Sequence, residues 1–252
     1  MKVKLNEEIK EYCRILKLNG IGRSFEEIIE ESSDYEEFLH KLLEKEIEAK
    51  DERATESRLR NAKFPYKKYL EDLELELLPT DIRNKLPELA TLNFIEEGRN
   101  VIMYGNPGTG KSHTSIGFGI KACMRGYKVL FTTIPLLITQ LKECQSRKTL
   151  LAYERRFEKY DLVIADELGY ISFDKEGAEL LFSNLSLRSS RKSTIITTNL
   201  SFDRWDEIFG DPVITAAMVD RLTHKAILIN MEGDSVFCKS KFLTFAKLFP
   251  QA

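Results

Sequence analysis

The run Gly105-Asn106-Pro107-Gly108-Thr109-Gly110-Lys111-Ser112 is the stretch of this chain best equipped for chemistry. Its spacing, Gly-x-x-x-x-Gly-Lys-Ser after a short apolar run, is that of a loop that wraps a polyphosphate. Gly105, Gly108 and Gly110 free the backbone to turn its N–H groups inward, and the helix that follows offers its positive end. Lys111 then serves as a point charge for the β- and γ-phosphates, and Ser112 as a hard oxygen ligand for a phosphate-bound magnesium ion. Asn106, Pro107, Thr109 and His113 complete the expected cradle.

Three further stretches extend this chemistry. Asp161-Leu-Val-Ile-Ala-Asp166-Glu167 is an apolar strand ending in two acids, which fits Asp166 to the magnesium shell opposite Ser112 and Glu167 to polarising a water for attack on the γ-phosphate. Ser193-Thr-Ile-Ile-Thr-Thr-Asn199 is a β-branched strand that stops at an amide. Asn199 can hold the attacking water or touch the γ-phosphate, or it can cap the next turn. Arg221 lies late in the chain on an expected helix, where a guanidinium reaching across a subunit boundary would stabilise charge during phosphoryl transfer; a salt bridge to Asp220 or another acid is the alternative.

These residues need a scaffold that brings strand ends together. Strand-like runs at Val101 to Tyr104, Lys128 to Thr133, Leu162 to Ala165, Thr194 to Thr198 and Ala226 to Asn230 alternate with helical patterns, the signature of an α/β domain with a five-stranded parallel sheet. Gly105, Asp166 and Asn199 all fall just beyond carboxyl ends of strands, where ligands of such sheets bind. The strand at 128–133 suggests the class in which an extra strand separates the phosphate-loop strand from the acid-bearing one. Upstream, residues 5 to 62 read as helices. Ser24-Phe-Glu-Glu27 and Ser33-Asp-Tyr-Glu36 both fit the capping box of a helix start. After Ser33, the residues Tyr35, Phe38, Leu39, Leu42, Leu43 and Ile47 form an apolar stripe that asks for a partner surface. Acids dominate from Glu26 to Glu52, then Arg53, Arg58, Arg60, Lys63, Lys67 and Lys68 reverse the sign, as on a solvated face or a partner contact. Prolines at 65 and 79 place the division between 65 and 90: a small α-helical N-terminal domain for partner binding at 1–65, a linker at 66–89 and an ATPase domain at 90–252.

At 252 residues with 42% hydrophobic content, the chain suits one α/β domain plus an appendage, and a net charge of -2 means that any DNA-binding face must be local. The four cysteines, Cys13, Cys123, Cys144 and Cys238, are too far apart in sequence for a zinc site or redox pair and are expected as reduced thiols. Neither a membrane-spanning run nor a secretory signal appears, which implies a cytoplasmic address.

Taken together, Gly105 to His113, Tyr127-Lys-Val-Leu-Phe-Thr-Thr133, Asp166-Glu-Leu-Gly-Tyr170, Thr197-Thr-Asn-Leu-Ser-Phe202, Trp205-Asp-Glu-Ile-Phe-Gly-Asp-Pro212 and Asp220-Arg-Leu-Thr-His224 resemble the IstB-like transposition helper ATPases, relatives of the DnaC-type helicase loaders. The resemblance runs from about residue 12 to 238 and includes the Ala62-Lys-Phe-Pro65 junction. It implies an AAA+ P-loop NTPase, ATP with Mg2+, homo-oligomers on double-stranded DNA, and a transposase partner. On that pattern Asn199 is the first sensor and Arg221 the finger reaching a neighbour's nucleotide. The chain departs from the family at Gly233-Asp-Ser-Val-Phe237, which lacks the family's late Arg, and at Ala165. DNA phosphates are expected to meet Lys142, Arg147, Lys148, Arg155, Arg156 and Lys159, between the second and third strands, and Arg188, Arg191 and Lys192 before the fourth, through contacts that salt weakens. The rival readings are a helicase loader, which has the same switch but a helicase partner, a small-molecule kinase, which leaves Trp205 to Arg221 unexplained, and a scaffold without turnover, which leaves Asp166-Glu167 unexplained.

Overall fold

Runs of Val, Ile and Leu without polar alternation must be covered on both faces. In the computed structural model, which describes residues 2–233, they form one sheet. Its strands are β1 (Val101–Tyr104), β2 (Val129–Thr133), β3 (Leu162–Leu168), β4 (Ser193–Thr198) and β5 (Ile227–Asn230). Their order is β2-β3-β4-β1-β5 and every pairing is parallel. Parallel neighbours need crossovers, supplied by α6 (Lys111–Met124), α7 (Ile134–Ser146), α8 (Leu150–Phe157), α9 (Lys175–Ser186), α10 (Asp206–Phe209) and α11 (Pro212–Thr223). Along β3 the side chains alternate between two cores: Leu162 and Ile164 join α6 residues Ile116, Phe118 and Ile120, whereas Val163 and Ala165 join Leu137, Leu141, Leu181 and Trp205. The strand that separates β1 from β3 is β4, not the run at 128–133, which lies at the sheet edge as β2.

The chain divides into two compact units at Ser57/Arg58. In the second unit, residues 66–89, expected as a linker, lie on the sheet core. Short 3-10 turns at Leu70–Asp72 and Leu75–Leu77 lead into α4 (Thr80–Leu89), followed by α5 (Asn93–Glu96), and Leu78, Ile82 and Leu89 are buried in the α6-side core. Two glycines of α6 make room for this segment and for Phe64 just before it: a Cβ on Gly117 would stand 2.7 Å from Leu70 Cδ2, and one on Gly119 would stand 2.7 Å from Phe64 Cε1.

The first unit holds α1 (Lys2–Leu16), α2 (Asn19–Glu31) and most of α3 (Tyr35–Asn61). Its core is small, with Phe25, Ile28 and Leu42 buried and Ile9, Ile21 and Phe38 packed on them. Helix α2 starts at Asn19 rather than at the expected Ser24 box. The reason is a cap from a distant residue: the buried Glu46 carboxylate accepts hydrogen bonds from the Gly20 and Ile21 N–H groups at 2.7 and 3.2 Å. The second box is displaced by one residue, since Asp34 Oδ1 accepts from Glu37 N–H while Glu37 reaches back to Ser33 N–H, both at 2.8 Å. Only Phe38 and Leu42 of the predicted stripe face this core, and Tyr35, Leu39, Leu43 and Ile47, each four residues apart, remain exposed. Cys13 and Cys123 are buried free thiols and Cys144 is half-buried; Cys238 and the 234–237 segment lie outside the described residues.

Candidate functional site

The phosphate loop takes the conformation its glycines permit. Gly105, Gly108 and Gly110 all have left-handed φ values, of 139°, 77° and 92°. Gly105 is also fixed by space, because a Cβ there would stand 2.5 Å from the Met231 carbonyl carbon. The buried Lys111 donates to the Gly105 and Asn106 carbonyls at 2.6 and 2.7 Å. Burial pushes its pKa down to about 8, against the pull of Asp166. Thr109 Oγ1 closes the loop onto the Asn106 carbonyl at 2.9 Å. His113 meets the Tyr66 ring edge-on at 5.3 Å, and burial followed by the Lys68 charge holds it below the usual imidazole range.

The two acids sit on a bulge. Ala165 pairs with Ile196 and Leu168 with Thr198, so Asp166 and Glu167 together face Thr197, and Glu167 adopts a left-handed φ of 68°. Thr197 Oγ1 donates a short hydrogen bond to Asp166 Oδ1 and accepts the Glu167 N–H at 3.0 Å. Ser112 Oγ donates to the same Asp166 oxygen at 3.0 Å. A hydroxyl and a carboxylate oxygen this close are the hard donors that magnesium takes alongside phosphate oxygens and water, so the residues present fit that ion. Burial, and secondly the Asp166 charge, raises the pKa of Glu167, which makes it a better proton acceptor than an ordinary carboxylate.

Asn199 follows β4 directly. The alternative role of turn cap is filled by its neighbour, since Thr198 Oγ1 accepts the Leu200 N–H at 3.1 Å. Asn199 Oδ1 is buried and has no hydrogen-bond partner among the described residues. A Cβ on Gly169 would lie 2.9 Å from it, so the Asp166-Glu-Leu-Gly169 turn passes immediately beside the amide.

A cavity of about 390 Å³ lies beside the phosphate loop, and its lining does not include Asp166, Glu167, Thr197 or Asn199. Gly108, Gly110, Lys111, Ser112 and His113 form one wall, and Tyr66, Lys68, Leu73, Leu78 and Tyr170 form the rest. Burial raises the pKa of both phenols, and the Asp166 and Glu167 charges add to it. The upstream residues and Thr197 were not singled out from sequence as site residues. The available signal was the Ala62-Lys-Phe-Pro65 junction, which Tyr66 follows.

Arg221 does not line this cavity. It sits near the end of α11, whose start is fixed by residues 210–212: Gly210 ends α10 with a φ of 63°, Asp211 accepts from the Val213 and Ile214 N–H groups at 2.8 and 3.2 Å, and Pro212 opens the helix. Trp205 anchors the preceding segment, fully buried against Phe202 and Phe209. The Arg221 guanidinium is exposed and lies 5.7 Å from the Phe182 ring centroid, and among the described residues it pairs with neither Asp220 nor any other acid.

The expected DNA-contacting cations separate into three groups. Arg188 is corrected: it is 1% exposed, and its guanidinium donates to the Phe157, Tyr160 and Ser193 carbonyls, each at 2.9 Å. A buried guanidinium engaged by three carbonyls ties the 188–192 turn to the sheet and cannot reach a phosphate backbone. Lys142 and Lys192 are half-buried and paired, with Asp174 and Asp161 respectively, at 2.6 Å. Arg147, Lys148, Arg155, Arg156, Lys159 and Arg191 are exposed, with Arg156 resting over the Tyr153 ring.

Comparisons with known proteins agree with this geometry. Residues 12–244 match the family model described as IstB-like ATP binding protein. An ATP-binding protein of insertion sequence IS5376 from Geobacillus stearothermophilus is 36% identical, over 95% of this chain and 97% of its own. One of insertion sequence IS21 from Pseudomonas aeruginosa is 35% identical, over 90% of this chain and 87% of its own. Among solved structures, DnaI superposes with a TM-score of 0.56 at 20% identity, over 70% of this chain and 93% of its own. AMPPCP-bound DnaA from Aquifex aeolicus does so with a TM-score of 0.56 at 19% identity, over 75% of this chain and 57% of its own. With its five-stranded parallel sheet, the chain has the AAA+ P-loop NTPase fold. Among the described residues no helix is long and apolar enough to cross a membrane.

Proposed function

The chain belongs to the IstB-like ATP-binding protein family, and on that footing we propose that it is an ATPase of DNA transposition, self-assembling on double-stranded DNA and engaging a transposase there. ATP is gripped by Gly105 to His113, with Lys111 leaving its two loop carbonyls for the β- and γ-phosphate oxygens. Ser112 and Asp166 would hold Mg2+, which supplies charge neutralisation for the departing diphosphate. Glu167 accepts a proton from the attacking water, and the Asn199 amide orients that water or the γ-phosphate. Thr197, bonded to Asp166 and to the Glu167 N–H, holds both acids at the end of β3.

The observation that carries this reading is the separation of Arg221 from the site it would serve. It is exposed, unpaired among the described residues and outside the phosphate-loop cavity, which suits a guanidinium that completes the site of another copy. ATP would then order neighbouring copies and hydrolysis would release them. The names of the relatives, which place them in insertion sequences, favour a transposase partner over a helicase. The test is ATPase rate and particle size, each with and without duplex DNA over a salt series. Growth in size with ATP and DNA is expected; a species that stays monomeric under every nucleotide overturns the proposal.

A further inference from the structure

We propose that Arg191 is a second guanidinium acting beside Arg221, so that the hollow between the ends of α9 and α11 receives the phosphate tail of a nucleotide held by another copy of this chain. The inference rests on the reading of Arg221 given above and extends it to a residue on a different element. The hollow measures about 500 Å³ and is bordered by Ser186, Ser189, Arg191, Asp220, Arg221 and His224. Its two arginines and the histidine face a single carboxylate, and Arg191, like Arg221, has no acidic partner among the described residues.

The turn that presents Arg191 is held rigidly from below. Buried Arg188 is fixed by three carbonyls, and its own carbonyl accepts the Arg191 and Lys192 N–H groups at 3.1 and 2.9 Å. Ser190 takes a left-handed φ of 59°, and Gly98 packs so closely beneath that an added Cβ would stand 3.3 Å from the Arg191 carbonyl carbon. Ser189 Oγ reaches the Arg221 carbonyl at 3.5 Å, which links the two cationic segments. In the same wall, the buried Ser186 hydroxyl has no partner among the described residues. Two forked guanidiniums and hydroxyls that border one hollow suit phosphate oxygens. A nucleotide tail and a DNA backbone share that chemistry. A concave hollow suits the compact tail, and its one bordering carboxylate, Asp220, is outnumbered there by the two guanidiniums.

The test is subunit mixing with full-length protein, duplex DNA and ATP. Arg221→Ala protein binds nucleotide but lacks the finger, and Lys111→Ala protein offers an intact hollow at an ATP concentration low enough to leave its own weakened site empty. Adding Lys111→Ala to Arg221→Ala should restore ATPase activity. Adding Lys111→Ala/Arg191→Ala should restore about 10- to 100-fold less, the loss expected for one charged hydrogen bond, and an Arg191→Lys donor should fall between. Arg191→Ala alone should keep wild-type affinity for a fluorescent ATP analogue at its own site, which separates the effect from misfolding. Equal rescue by both donors overturns the role of Arg191 while leaving that of Arg221 intact; no rescue by either overturns both. Unchanged rescue with DNA affinity, measured by anisotropy without nucleotide, lowered in Arg191→Ala assigns the hollow to DNA and also overturns the inference.

Discussion

Lys111 and Arg221 are both proposed to meet a triphosphate, Lys111 that of its own copy and Arg221 that of another, yet the protein keeps them in opposite ways. Lys111 is buried, bonded to two carbonyls of its own loop and partly discharged near pH 8. Around it Ser112, Asp166, Thr197 and the Glu167 N–H form a closed chain of hydrogen bonds. Arg221 and Arg191 are exposed, and among the described residues neither forms an ion pair; Asp220 is the one carboxylate bordering their hollow. One end of the α/β unit is a phosphate loop bonded within itself, and the other is a surface whose two guanidiniums have no ion-pair partner among the described residues. On the proposed reading, the first receives a small molecule from solution and the second is offered to something that brings its own negative charge.

The strongest way to break this contrast is Arg221→Ala. The turnover number is expected to fall by roughly 10³-fold or more, while affinity for a fluorescent ATP analogue stays within error; an equal loss of affinity would place Arg221 in its own protomer's site. Glu167→Gln comes next, with about a 10²- to 10⁴-fold loss of hydrolysis and a DNA-bound assembly that persists with ATP in size-exclusion chromatography. Wild-type hydrolysis by this variant would remove Glu167 from the proton transfer. Lys111→Ala should weaken nucleotide binding by about 100-fold and also remove a pH signature. Since the pKa of free Lys111 is near 8, phosphate binding raises it and the wild-type protein takes up protons on binding ATP at pH 8 to 9, with little uptake at pH 6. Calorimetry in buffers of different ionisation heat measures this, and an equal uptake by Lys111→Ala assigns the proton elsewhere.

The smallest effect concerns stability. The Glu167 pKa is raised by burial and by Asp166, so the folded state binds more protons than the unfolded state between the ordinary carboxylate range and the raised value. Folding stability therefore declines as pH rises through that window. Glu167→Gln should melt slightly above wild type at pH 7, with the gap closing as pH falls below the ordinary range.

Much of the sheet was readable because strands covered on both faces leave an unbroken apolar record, and the observed strands differ from the expected runs by few residues. Their spatial order was not readable, since crossovers decide whether β2 or β4 lies beside β1, and no residue type records that choice. The start of α2 was hidden for a related reason, because Glu46 caps it from 26 residues away. Glycine, lysine and paired acids announced the phosphate site through unusual spacing. Thr197 did not, since one threonine in a β-branched strand looks like its neighbours until the bulge places it against two acids. Arg188 and Arg191 are the same residue type three positions apart, one locked under the turn and the other displayed on it; only coordinates separate them.

The floor beneath Gly105 carries a mechanical implication. The backbone at Met231 and Glu232 fills the space a side chain would need, Met231 N–H bonds the Tyr104 carbonyl at 2.7 Å, and the Asn106 amide reaches the Gly233 carbonyl at 3.4 Å. On the proposed reading, a nucleotide arriving at the loop and any shift of residues 231–233 act on the same few peptide groups, so each registers in the other.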